Sequence, residues 1–148
     1  MKNIENFNLC TAHILTTLYG EFPVRYKLDP SAIVSALNGA IVDDEVRKIN
    51  ATTFVMNTIM WLVDTGYLIK HEGSSAATNR YVLSPKAFEA LSAPLPEALG
   101  GEKGNPSQKT VGEKLSELAV NTGKDVGKEA KAQSIRQAIG WIIGLTLS

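Results

Sequence analysis

Residues 64–91, DTGYLIKHEGSSAATNRYVLSPKAFEAL, decide how the rest of the chain is read. Gly66 closes an apolar run. Tyr67 to Lys70 and Tyr81 to Leu83 are then short strands rich in aromatic and β-branched residues. Between them HEGSSAATN supplies glycine and small polar residues suited to a mobile loop. Ser84 and Pro85 start a helix, the serine as N-cap and the proline at the first helical position, with Phe88 and Leu91 facing inward.

The upstream residues supply the elements that such a hairpin packs on. Residues 4–19 form a helix in which Phe7, Cys10, Ile14 and Leu18 recur at three and four residues and share one face, and Gly20 offers a stop. In EFPVRYKL, Pro23 breaks any helix, and Val24, Tyr26 and Leu28 alternate with Arg25 and Lys27 as in a short half-buried strand. LDPSAIVSALNG reads as a short second helix, capped by Asp29, opened by Pro30 and closed by Asn38 and Gly39. AIVDDEVRKINA reads as a connection with one helical turn after Asp43 or Asp44. Residues 51–65, ATTFVMNTIMWLVDT, are too long for an ordinary strand and form the third helix.

From Ala93 the composition changes. APLPEALGGEKGNPSQKT marks a Pro/Gly-rich linker, residues 94–110, and residues 111–148 are helical with a break around NTGKDVGK. The expected organisation is therefore a domain over 1–93, the linker, and a helical C-terminal extension. The fold class is mainly α (α+β).

The 148 residues are 44% apolar and 20% charged, and Lys plus Arg balance Asp plus Glu at 15 each, so the chain as a whole exerts no pull on a polyanion. MKNIENFNLC has acid and amide residues where a signal peptide carries an apolar run. No window supplies the roughly 18 apolar residues of a spanning helix, and integral membrane insertion is not expected. A soluble, cytoplasmic chain is expected, and a single cysteine, Cys10, leaves no internal disulfide.

LVDTGYLIK and RYVLSPKAFEAL resemble the stretch of bacterial winged-helix regulators in which the third helix ends in Gly, an aromatic and a Leu open the first wing strand, and the second strand enters a Y-x-L-T-x-x-G turn. Here Ser84 replaces the threonine and Ala87 the glycine. The resemblance spans residues 4–93 and implies a winged helix-turn-helix with a small β-hairpin wing. It also implies DNA binding, with the third helix in the major groove and the wing on phosphate or the minor groove.

Charge argues against that implication. Wound at 100° per residue, Val55, Ile59, Leu62 and Val63 face the core, and Thr53, Asn57, Met60, Trp61 and Asp64 face outward. A groove-reading face offers Arg, Lys, Asn or Gln to bases and phosphates; this one has Asn57 and a carboxylate. Residues 1–93 hold eight basic and nine acidic side chains. Met60 and Trp61, by contrast, are residue types enriched at protein interfaces, unless the chain's own tail covers them. In that tail Ile135, Ala138, Ile139, Ile142 and Ile143 share a helical face edged by Trp141, which must be buried somewhere. Lys124, Lys128 and Lys131 line one side upstream, diluted by Asp125 and Glu129, and Gly140 and Gly144 permit close helix approach.

Catalytic and phosphate-binding motifs are missing from the sequence. Cys10 and His13, three apart on the first helix, lack the partners of a metal site, and Asp43, Asp44 and Glu45 read as a solvated turn. No cofactor is expected. The leading expectation is a non-enzymatic winged-helix interaction module acting through protein contacts, by self-association through the C-terminal helices. Its contact residues are Asn57, Met60, Trp61, Trp141, Ile142 and Ile143. The alternative is a dimeric DNA-binding regulator using Arg47, Lys48, Thr53, Asn57, Lys70 and Arg80. Peripheral membrane association through the last helix is the third reading.

Overall fold

The computed structural model describes residues 2–37, 45–101, 109–120 and 128–147. Along the described chain run α1 (Lys2–Glu21), α2 (Pro30–Ala36), α3 (Glu45–Asp64), β1 (Leu68–His71), β2 (Arg80–Leu83), α4 (Pro85–Ser92), α5 (Val111–Val120) and α6 (Lys128–Leu147). This mainly helical arrangement with one two-stranded antiparallel hairpin is compatible with a winged-helix shape.

Both proline-opened helices form as their sequences predict. Asp29 accepts a hydrogen bond from the Ser31 amide at 3.0 Å to start α2, and Ser84 Oγ accepts one from the Ala87 amide at 3.3 Å to start α4. The third helix begins at Glu45, several residues before the expected start at 51. The stretch after Asp44, read as a connection with one helical turn, is helical from Glu45 onward and continuous with the third helix; its isolated apolar residues gave no visible periodicity. The stop at Asn38 and Gly39, the Asp43 and Asp44 turn and the break around residues 121–128 concern residues outside the described ones or at their margin.

The end of α3 shows why the hairpin starts where it does. Gly66 has φ +87, a left-handed conformation that L side chains rarely adopt. The Gly66 amide donates to the Val63 carbonyl at 3.1 Å and the Tyr67 amide to the Leu62 carbonyl at 2.8 Å, a Schellman closure. Lys86 Nζ, from α4, donates to the Thr65 carbonyl at 2.7 Å and lies 4.4 Å from the centre of the Tyr67 ring. One cation thus ties the end of α3, the hairpin and α4 together.

In the hairpin Leu68 pairs with Leu83, Ile69 with Val82, Lys70 with Tyr81 and His71 with Arg80. The strand expected over Val24–Leu28 reduces to a single bridge, Tyr26 with Tyr81, made by two amide-to-carbonyl bonds of 2.8 Å. Pro23 withholds a donor on one side, and Leu28 leads directly into the α2 cap. The tip, read as a mobile loop, contains a 3-10 turn over Ala76–Thr78. It is held by Gly73 N to Asn79 Oδ1 (3.1 Å) and Ser75 N to Thr78 Oγ1 (3.0 Å).

The core runs through the whole described chain. Cys10, Ile14, Leu15 and Leu18 of α1, Val55, Ile59 and Leu62 of α3, and Leu91 of α4 are buried in one cluster with Val111, Leu115, Ile135, Ile139 and Ile142. The chain between α4 and α5 is pinned at its base by a bridge between Pro94 and Thr110, and Leu95 is buried. Replacing Leu115, which is fully buried on α5, with Ala is expected to lower the unfolding free energy by about 2–5 kcal/mol. Urea denaturation read by circular dichroism checks this. Ser84→Ala should cost about 1 kcal/mol in the same assay.

Candidate functional site

The outer face of α3 is where sequence expectation and structure converge. Thr53, Asn57, Met60, Trp61 and Asp64 are all exposed, and Met56, which the sequence reading left out, joins them. Its i, i+4 relation to Met60 was the signal for it. Met56, Met60 and Trp61 keep 41%, 39% and 40% of their surface, so the chain's own tail does not cover them. Trp61 is held from beneath: Phe7 of α1 meets its ring edge-on at 5.2 Å, and Tyr67 stacks on it at 6.1 Å. Met56, Met60 and Trp61 thus form an apolar surface on α3 that is backed by α1 through Phe7.

Electrostatically this face is nearly bare. From Asn50 to Asp64 α3 carries no cationic residue, and Asp64 is its one acid. Arg47 and Lys48 lie in the first turns of α3, with side chains outside the described ones.

A second surface was invisible in the sequence. Directly paired residues share a face of a sheet, so Tyr26, Tyr81 and Lys70 lie on one side, and their chain neighbours alternate to the other. That outer side collects Arg25, Lys27, Arg80 and His71, together with Ile69 and Val82. The three Arg and Lys side chains are exposed. The hairpin's carboxylate, Glu72, pairs instead with Lys70 at 3.6 Å. The single Tyr26–Tyr81 bridge therefore moves Arg25 and Lys27 some fifty residues through the sequence to stand beside Arg80.

The tail residues are placed differently from one another. Ile142 is buried in the chain's own core, Trp141 and Ile143 are half-buried against it, and Gly140 and Gly144 lie on the exposed side with nothing within 4 Å of an added Cβ. The face expected to meet a partner is largely occupied by α1, α4 and α5. The lysine stripe at Lys124, Lys128 and Lys131 lies outside the described side chains. Among the described residues no helix is long and apolar enough to cross a membrane.

Cys10 and His13 have separate environments. Burial pushes the Cys10 thiol up to about 12 and lowers the pKa of half-buried His13. Among the described residues no three His, Cys, Asp or Glu side chains gather as metal ligands.

Two measurements follow from these shifts. At pH 8 Cys10 should resist a thiol reagent in the folded chain and react at once in denaturant; fast native labelling would contradict its burial. His13, with its folded pKa below the unfolded value of 6.5, binds a proton more readily when unfolded. It contributes stability above that value that is lost as pH falls through it. The melting temperature should accordingly drop between pH 7.5 and 5.5, and less so in His13→Gln. No family model, curated protein or solved structure matches this chain.

Proposed function

We propose that this chain is a non-enzymatic module of winged-helix shape that pairs with a second copy of itself through the outer face of α3. The observation carrying the proposal is the exposed Met56, Met60 and Trp61 surface, immobilised from below by Phe7 and Tyr67. Rigid aromatic and Met side chains lose little conformational entropy on contact, which is why they concentrate where interfaces derive their affinity.

Self-pairing suits the charges. A two-fold contact brings each patch against its own copy, so any excess of one sign is doubled at the interface. Here the only described charge is Asp64 at one end, and the whole chain is neutral. The α6 face offers less: Ile142 has no surface to give.

A second reading, nucleic-acid binding, draws support from Arg25, Lys27, Arg80 and His71 on the outer sheet face. Three exposed cations on a two-strand hairpin and its bridge are a local phosphate-binding surface on a neutral chain. From Ala51 to Asp64 the one Arg, Lys, Asn or Gln on α3 is Asn57.

Light scattering on the full chain separates them. Self-pairing predicts a mass of two 16.0 kDa chains that falls to one in Met56→Glu/Met60→Glu. A wild-type monomer at millimolar concentration overturns it. Nucleic-acid binding predicts a duplex affinity that falls steeply with salt. Arg25→Ala/Arg80→Ala should reduce the slope of log affinity against log salt by about two. No binding at low salt eliminates that reading.

A further inference from the structure

An open groove between α1 and α6 has a volume of about 520 Å3. That volume lies in the range of small-molecule sites. Its walls differ in charge: Glu5 stands on the α1 side and Arg136 on the α6 side, both exposed and without an ion-pair partner among the described residues. Gln133 adds a second hydrogen-bonding group at the α6 rim, and Leu9 and Ile135 form an apolar lining.

Asn8 is the residue that packing does not explain. It lines the groove with only 8% of its surface exposed, and its carboxamide has no hydrogen-bond partner among the described residues. Its polar atoms are not among the buried unpaired ones, so the carboxamide opens onto the groove while the rest of the residue is packed away. Asn8 therefore presents two donors and an acceptor to whatever enters the groove.

We propose that this groove binds a small zwitterion of the α-amino acid class. The ligand's ammonium group faces Glu5, its carboxylate faces Arg136, Asn8 completes the polar shell, and its side chain rests on Leu9 and Ile135. The chemistry selects the class. A simple anion is repelled by Glu5 and a simple cation by Arg136, whereas a molecule carrying both charges satisfies both walls. Guanidinium is suited to planar carboxylate recognition.

Calorimetric titration of the full chain with L-leucine and L-phenylalanine tests this, with N-acetyl-leucine and leucine amide as probes lacking one charge each. The free amino acids should bind, and each single-charge derivative at least tenfold more weakly. Glu5→Gln and Arg136→Gln sit on the exposed rim, so their folding should be unaltered by circular dichroism, and each should weaken binding about tenfold. Absence of heat with both amino acids overturns the proposal, as does equal binding of the derivatives or of the Glu5 and Arg136 variants.

Discussion

Enclosure of α1 is the constraint on which the remaining structure depends. Thr11, Ala12, Ile14, Leu15 and Leu18 are all buried, covering more of the helix circumference than one amphipathic stripe. A helix buried on several sides cannot be stabilised by one neighbour, and α1 is accordingly flanked by α3, α5, α6 and β2. The approach of α5 is close: a Cβ on Gly112 would lie 2.6 Å from the Tyr19 ring, so glycine is needed where α5 starts. The same enclosure leaves Thr11 Oγ1 buried without a hydrogen-bond partner, a polar cost accepted inside an otherwise apolar contact.

This dependence explains what was legible in the sequence and what was not. The stripe Phe7, Cys10, Ile14 and Leu18 was visible because it repeats at helical spacing. The second stripe, through Ala12, Leu15 and Tyr19, repeats in the same way but contains an alanine and a tyrosine, residue types equally at home on a surface. Local signals were faithful wherever local chemistry decides the outcome. Asp29 and Ser84 cap their helices, Gly66 closes α3, and the α3 face divides as winding predicts, because each depends on residues within one or two turns. The early start of α3 and the collapse of the expected Val24–Leu28 strand to one bridge depend on partners far along the chain.

The candidate surfaces divide along the same line. The α3 face could be found from one helix, since exposure there follows from spacing. The cationic sheet face could not, because its members come from two segments joined only by the Tyr26–Tyr81 pair. Counting charges over residues 1–93 gave a near balance and concealed a local excess. Net charge averages over surfaces, while a ligand meets one surface at a time.

The separation of these surfaces bears on what the scaffold can do. A major-groove reader needs its cations on the inserted helix or at the flanking backbone contacts, so that helix and wing act on one duplex. Here the described side chains of α3 include no cation, and the cations of the hairpin stand on the outer side of the sheet. The Lys86 contact with Thr65 and Tyr67 fixes the hairpin relative to α3, so a side-chain rearrangement alone does not bring the two together. An apolar helix face that associates, beside a cationic sheet face that remains accessible, is the arrangement in which self-pairing would double the cationic surface. A dimer formed through α3 would present two such faces at a fixed spacing, and any phosphate affinity of one would be reinforced by its copy.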